Sequence, residues 1–158
     1  MSILQTERIN CMKKVMKLFA VLFTALFVLL GCAKEEIATF ELKQEGLVST
    51  LVYYYKGDVV TKQTAKSEID LKKLPISEEE ALKKFQENTD MYNSVKGVTA
   101  TQEVKDGIVT QFVTVDYTVA KLSDLKKAIP SDFSGPGEKV SFKASKEALI
   151  KAGYTEKN

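Results

Sequence analysis

The sequence predicts an α+β domain with two layers, in which an antiparallel sheet of about five strands carries two or three helices on one face. Three observations support this fold class. Runs rich in β-branched and aromatic residues are separated by short turn signals. An Asp106-Gly107 turn joins two runs whose apolar residues match in antiparallel register. Amphipathic helical patterns with capping residues follow the strands.

The first 31 residues have the composition of an export signal. A segment with three lysines is followed by an apolar run from Leu18 to Leu30 that only Thr24 interrupts. As a helix, at about 1.5 Å per residue, this run spans roughly 20 Å, which is short of the ~30 Å hydrocarbon core of a bilayer. We therefore predict that residues 1–31 are a cleaved signal peptide and that translation begins at Met12.

The residues around Cys32 indicate a lipid anchor. The segment Leu29-Leu30-Gly31-Cys32 resembles the lipobox of bacterial lipoproteins. This resemblance implies cleavage between Gly31 and Cys32, and a diacylglyceryl group with fatty chains such as palmitate on the cysteine sulfur. Two chains, at about 0.8 kcal/mol per buried CH₂, hold a protein stably on a membrane. The alternative is an ordinary secretory signal that ends near a cysteine.

A short tether is expected to connect the anchor to the domain. Residues 32–37 form this tether, whose part after the cysteine reaches at most ~18 Å when fully extended. Residues 38–158 form a single domain, which therefore stays close to the lipid headgroups.

The domain begins with two strand-like segments, Ala38–Gln44 and Leu47–Tyr55, which Glu45-Gly46 separates. Lys56-Gly57-Asp58 is a tight-turn signal, and a third strand is expected from Val59 to about Leu71. Its apolar face would consist of four residues: Val59, Ala65, Ile69 and Leu71. The sequence is compatible with a turn of two or of three residues, and each gives a different register.

A helix is predicted from Ser77 to about Tyr92. Ser77 and Glu80 have the spacing of a capping box, and Ile76 and Ala81 have that of a hydrophobic staple. The packing face is expected to consist of four residues: Leu82, Phe85, Thr89 and Tyr92. The three glutamates of the first turn interact favourably with the positive end of the helix dipole. We prefer this structural role to a metal or catalytic cluster.

The Asp106-Gly107 turn predicts a hairpin between Val98–Lys105 and Ile108–Ala120. With a two-residue loop, one face has three apolar pairs: Val104 with Val109, Ala100 with Val113, and Val98 with Val115. The other face pairs mostly polar residues. Turn chemistry and binary pattern therefore agree on a hairpin with one buried face.

Two shorter helices are expected near the C-terminus. Ser123 is predicted to cap a helix that ends before Pro130. Ser145 is predicted to cap a last helix that ends at Ala152, with a Schellman motif at Gly153.

Composition excludes several classes of function. The chain has a formal charge of +2, but the signal peptide carries four basic residues and one acidic residue, so the mature part has about −1. The basic balance therefore does not indicate nucleic-acid binding. The chain has no histidine, and its mature part has no cysteine besides Cys32. This excludes a disulfide framework, cysteine or histidine metal sites, and nucleophiles that need a histidine base. We expect no cofactor other than the covalent lipid on Cys32.

Four segments resemble a known family: Tyr53-Tyr54-Tyr55-Lys56-Gly57-Asp58-Val59-Val60-Thr61-Lys62-Gln63, Tyr92-Asn93-Ser94-Val95-Lys96-Gly97-Val98, Val113-Thr114-Val115-Asp116 and Ala152-Gly153-Tyr154. Through them, nearly all of residues 38–157 resembles the YehR-like family of bacterial lipoproteins, whose function is not established. The resemblance implies a lipobox, a lipid-modified cysteine and a two-layer α+β fold. It implies no active-site residues.

Four residues are candidates for a binding site. Tyr53 and Tyr55, with Tyr54 between them, could form an aromatic platform for a peptide or glycan, although packing with the hydroxyls at the rim is the favoured interpretation. Asp58 is a turn residue or, less favoured, a cation ligand. Asp116 lies on the polar face of the last hairpin strand.

The expected role of Asp116 is a salt bridge with Lys62 or Lys96, worth only ~0–1 kcal/mol if it is exposed. The irregular segment Pro130–Glu138 is the best place for a contact with a partner, because surface loops often carry function.

These observations favour a non-catalytic binding module at the membrane surface, monomeric, with an envelope protein or a small ligand as its partner and no nucleic acid. One alternative is a structural or stress-related envelope component without a discrete ligand. Another is a small hydrolase that uses carboxylates or a Ser–Lys dyad. The expected location is extracytoplasmic, on the cell membrane, or on the outer membrane of a bacterium with two membranes.

Overall fold

The computed structural model of the chain describes residues 34–130, 132–133 and 137–157. The predicted signal peptide and the Gly31–Cys32 cleavage site lie outside these residues. The described residues form an α+β fold, as predicted, but the antiparallel sheet has six strands instead of about five. No helix of this part of the chain is long and apolar enough to cross a membrane.

The sheet consists of β1 (Glu35–Gln44), β2 (Leu47–Lys56), β3 (Val59–Asp70), β4 (Val98–Lys105), β5 (Ile108–Asp116) and β6 (Thr155–Lys157). Their spatial order is β4-β5-β3-β2-β1-β6, and each neighbouring pair is antiparallel. The helices are α1 (Glu78–Asn93), α2 (Leu122–Ala128) and α3 (Phe142–Lys151). They pack on one face of the sheet and enclose a single main core.

The first strand begins three residues earlier than predicted. Glu35 pairs with Lys56, and pairing continues without interruption to Gln44 opposite Leu47. The sequence did not indicate this earlier start because Glu35 and Glu36 are polar and exposed. Backbone pairing with β2 does not depend on side-chain polarity. Of the predicted tether, only Ala33 and Lys34 therefore lie between Cys32 and β1.

The turn between β2 and β3 has two residues, Gly57 and Asp58, and it is followed by a bulge. Tyr55 pairs with Val60 but Tyr54 pairs with Lys62, so Thr61 is the extra residue. The bulge changes which side chains face the core. Val60 is buried there, whereas the prediction that Val59 shares the apolar face with Ala65 is wrong.

The second hairpin has the predicted register. Val98 pairs with Val115, Ala100 with Val113, and Val104 with Val109. Asp106 and Gly107 have φ angles of 54° and 80°, as a type I′ turn requires. The strand β5 ends at Asp116 and not at Ala120, because the backbone N–H groups of Val119 and Ala120 turn back to the carbonyl of Asp116.

The helix α1 has the predicted cap and packing face. Ser77 Oγ accepts a hydrogen bond of 3.2 Å from the backbone N–H of Glu80. Thr89 and Tyr92 are buried against the sheet. At the end of the helix, the Asn93 side chain donates to the carbonyl of Ala100 and accepts from its N–H. This contact covers part of the outer edge of β4, which otherwise ends the sheet.

The predicted caps of the last two helices are wrong. Lys121 is the N-cap of α2 and makes no side-chain capping bond, so Ser123 lies inside that helix. The cap of α3 is Ser141, whose Oγ accepts from the N–H of Ala144. Ser145 is instead one turn inside the helix, where its buried hydroxyl donates to the carbonyl of Ser141.

The end of α3 is a Schellman motif, as predicted. The N–H of Tyr154 donates to the carbonyl of Leu149, and that of Gly153 donates to Ile150. The chain then forms β6, which pairs with residues Thr39–Glu41 of β1. Three exposed residues show no alternation of apolar and polar side chains, which explains why this strand was not predicted.

We predict that alanine is tolerated far less at Gly97 than at Gly107. Both residues have positive φ, 85° and 80°, so each substitution costs about 1–2 kcal/mol of backbone strain. A Cβ at Gly97 would lie 2.6 Å from the backbone nitrogen of Ala120, whereas at Gly107 the nearest atom is Lys72 Cε at 3.6 Å. Gly97→Ala should therefore lose about 1–3 kcal/mol more stability than Gly107→Ala in urea unfolding. Equal losses would contradict this account.

Candidate functional site

The predicted anchor leads directly into one end of the sheet. This end, called the anchor end below, consists of the start of β1 at Glu35, the Gly57-Asp58 turn and the residues 116–120 that follow β5. Thr61 Oγ1 donates to Glu35 Oε1 at 3.2 Å, which holds the first residue of β1 beside the start of β3. Cys32 and Gly31 precede this end by a few residues and lie outside the described residues.

The three consecutive tyrosines do not share a surface. Tyr53 is fully buried, with its ring 5.9 Å from Phe40 in an edge-on contact. Burial raises the pKa of Tyr53, and its hydroxyl has no hydrogen-bond partner in the described part of the chain. Tyr55 is stacked on Phe142 at 3.6 Å. Tyr54 points to the opposite face, where Lys62 Nζ lies 5.2 Å from its ring.

Asp58 connects the turn between β2 and β3 to the start of α3. Its Oδ2 accepts from Ser141 Oγ at 2.8 Å, and its Oδ1 accepts from the backbone N–H of Lys143 at 2.7 Å. Its own carbonyl accepts from the N–H of Phe142. The carboxylate therefore acts as a second cap for α3, supplied from a distant part of the chain.

Asp116 forms local hydrogen bonds. Its Oδ1 accepts from both the backbone N–H and the hydroxyl of Thr118. These bonds lower the pKa of Asp116, and the charge of Lys62, its partner residue on β3, contributes less. None of the ion pairs among the described residues includes Asp116, so neither Lys62 nor Lys96 forms the expected salt bridge with it.

Two polar contacts in the core were not predicted from the sequence. The hydroxyl of Tyr92 donates to Oδ2 of the buried Asp132. The hydroxyl of Tyr117 donates to Oε1 of the buried Gln63 at 2.9 Å. Burial raises the pKa of both tyrosines well above the ordinary value, so they remain protonated donors at neutral pH. Asp132 belongs to the predicted irregular segment, but no spacing in the sequence links it to Tyr92.

A small cleft lies at the anchor end. Its volume is about 130 Å³, and Val60, Tyr117, Leu122 and Val140 form much of its apolar wall. Glu138 is the one carboxylate among its described lining residues. No group of three or more cysteine, aspartate or glutamate side chains in the described ranges is placed to hold a metal ion. The cleft can take a small apolar group.

The face of the sheet opposite the helices is uncovered, and we call it the open face. Its side chains form rows across the strands, because antiparallel partners point to the same side. One complete row has no charge and consists of Thr39, Val52, Thr64, Thr114 and Thr99. The next row contains two charged residues and Phe112, whose side chain is 40% exposed; its members are Glu41, Thr50, Lys66, Phe112 and Thr101.

Two further rows of the open face also contain charged residues. The row nearest the anchor end contains Ile37, Tyr54, Lys62 and Asp116. The row at the far end contains Lys43, Val48, Glu68, Thr110 and Glu103. The open face therefore has one uncharged row, and charged residues lie in the rows on both sides of it, a distribution that the alternation of each strand alone does not reveal.

Comparison with known proteins places this fold in a family. Residues 36–155 match the family described as "Protein of unknown function (DUF1307)". The uncharacterized lipoprotein Lin0239 of Listeria innocua is 37% identical over 150 residues, which cover 92% of this chain and 98% of the relative. The uncharacterized lipoprotein YehR of Escherichia coli is 30% identical over 151 residues, with 92% and 99% covered.

Solved structures show the same fold. The NMR structure of the E. coli YehR protein has a TM-score of 0.63 and 23% identity, and covers 80% of this chain and 93% of its own. The NMR structure of a protein from Streptococcus pneumoniae TIGR4 has a TM-score of 0.53 and 16% identity, with 86% and 94% covered. The predicted likeness to YehR is confirmed, and the chain belongs to the DUF1307 family together with the uncharacterized lipoproteins YehR and Lin0239.

Proposed function

We propose that this chain is a lipid-anchored, extracytoplasmic binding module without catalytic activity, held by a diacylglyceryl group on Cys32, and that it binds an envelope protein through its open face. The observation that carries the binding role is the uncharged row across the sheet, with Phe112 beside it. The names of the relatives support the anchor, because each is called a lipoprotein.

The open face suits a protein partner better than a small molecule. A ligand pocket is concave and buries most of its ligand, whereas this surface is a continuous sheet with threonine hydroxyls and valine methyls. Protein interfaces place apolar and aromatic side chains at their centre and charged ones at their rim. On the open face, threonines and a valine form the uncharged row, Phe112 lies beside it, and lysines, an aspartate and glutamates lie in the rows on both sides.

The chemistry of the cleft supports binding over hydrolysis. A hydrolase that uses two carboxylates needs both near one substrate bond. Glu138 is the single carboxylate among the described lining residues, and the hydroxyls of the lining belong to two threonines and to a protonated tyrosine.

Replacing Cys32 with alanine tests the anchor. We expect Cys32→Ala to abolish incorporation of labelled palmitate and to release the protein from the membrane fraction, because the mature chain has no other cysteine thiol for the lipid to join. Cys11→Ala is the matched control and should change neither, because Cys11 precedes the expected start at Met12 and also lies ahead of the predicted cleavage site. Continued labelling of the Cys32→Ala protein would show that another residue carries the lipid.

Site-specific photo-crosslinking in intact cells tests the binding surface. We expect a crosslinking amino acid at position 112 to capture one protein several-fold more strongly than the same group at position 91. Met91 is the matched control for Phe112, because both residues are apolar and their exposed fractions are 44% and 40%. Met91 lies on α1, away from the open face. Identification of the crosslinked species by mass spectrometry gives the partner. Equal capture at both positions, or none at position 112, would contradict binding through this face.

A further inference from the structure

Seven lysines at the anchor end are exposed and form no ion pair among the described residues. They are Lys34, Lys56, Lys62, Lys96, Lys121, Lys139 and Lys143. The lysines that do form ion pairs in the same part of the chain lie elsewhere on the sheet and helices: Lys43, Lys66, Lys73, Lys84, Lys146 and Lys157.

The fold brings these seven lysines together from distant parts of the sequence. Lys56 pairs with Glu35 across β2 and β1, and Lys62 pairs with Asp116 across β3 and β5. Lys96 precedes Gly97, whose carbonyl accepts from the N–H of Asp116. Each contact fixes a lysine near the strand ends that define the anchor end.

The loop before α3 and the first turn of that helix complete the group. Lys139 precedes Val140, whose carbonyl accepts from the N–H of Val60 at the start of β3. The backbone N–H of Lys143 donates to Asp58 in the turn. Lys121 is the N-cap of α2, directly after the turn that ends β5.

The carboxylates at this end form no ion pair with these lysines among the described residues. Asp58 and Asp116 accept hydrogen bonds from neighbouring backbone and hydroxyl groups. Together with Glu35, Glu36, Asp124 and Glu138 they make six carboxylates, against seven ammonium groups, at this end. Two exposed apolar side chains, Ile37 and Val119, lie at the same end.

We infer that the anchor end is a headgroup-binding surface, and that its lysines bind the phosphates of anionic lipids and fix the orientation of the domain on the membrane. The inference rests on the proposed lipid anchor, because only three residue steps separate Cys32 from Glu35. Fully extended, these steps reach roughly 11 Å. At this distance the lysines lie about one Debye length from the headgroup phosphates, where anionic lipids attract each lysine.

The orientation can be measured with the lipidated protein in vesicles. The mature chain has no free thiol, so a single introduced cysteine takes one fluorescent label. Val119→Cys places the label at the anchor end, and Val104→Cys places it near the Asp106-Gly107 turn at the opposite end. The two valines are matched in type and exposure, 45% and 48%. A quencher attached to lipid headgroups reports which label lies near the bilayer.

In vesicles that contain phosphatidylglycerol, we expect quenching at position 119 to exceed that at position 104 by roughly twofold or more. The difference should decrease in phosphatidylcholine vesicles and at high salt, because both weaken the attraction of lysines for the surface. Equal quenching of the two labels in anionic vesicles would overturn the inference.

Charge reversal distinguishes orientation by the lysines from orientation by the short tether alone. The triple variant Lys56→Glu, Lys96→Glu, Lys139→Glu should remove most of the excess quenching at position 119. A triple variant with the same change of charge at the other end, Lys72→Glu, Lys83→Glu, Lys105→Glu, should leave it unchanged. If the first triple variant also leaves it unchanged, the short tether alone orients the domain and the inference is wrong.

Flotation of the vesicles distinguishes this failure from failure of the anchor. Protein that floats with the vesicles but shows no excess quenching at position 119 overturns only the headgroup surface. Protein that does not float carries no lipid, which overturns the proposed anchor and the inference together.

Discussion

The pairing of β3 with β5 is the contact on which the rest of the structure depends. The meander β1-β2-β3 and the hairpin β4-β5 are each local in sequence, and a two-stranded hairpin alone is only marginally stable in water. The β3–β5 pairing runs from Lys62 opposite Asp116 to Asp70 opposite Ile108, and it joins the two units into one sheet wide enough to carry three helices. It also aligns the rows of the open face and brings Lys62 and Lys96 to the same end. Both proposed surfaces therefore depend on a pairing between residues that lie 38 to 54 positions apart in sequence.

Sequence reasoning succeeded where a few neighbouring residues determine the structure. The Asp106-Gly107 turn fixes its own register, and the spacing of Ser77 and Glu80 fixes the start of α1. It failed where a contact with a residue far away in the sequence determines the local structure. Ser141 is the cap of α3 because Asp58, more than eighty residues earlier, accepts from Ser141 and from Lys143. Seen from the sequence, Ser145 has equal capping chemistry, and only the tertiary contact distinguishes the two serines.

The candidate binding residues show the same dependence on contacts between residues that are far apart in the sequence. Tyr53, Tyr55 and Asp58 could be assigned to a strand end and a turn, but their partners Phe40, Phe142 and Ser141 come from other elements. The buried contact between Tyr92 and Asp132 has no local signature at all. An undistorted alternation would place Val59 on the core face, whereas the bulge at Thr61 gives that place to Val60. The two proposed surfaces arise from the complete sheet, so no single motif could have predicted them.

The length of the tether connects the two proposals. A lipoprotein with a long flexible linker can present any surface to a partner, because the linker decouples the domain from the membrane. Here only Ala33 and Lys34 separate the cysteine from a strand that is paired from its first residue. The strands begin or end at the anchor end, so a domain that rests on this end has its strands directed away from the membrane. The open face, parallel to the strands, is then turned sideways toward neighbouring envelope proteins and remains uncovered by lipid.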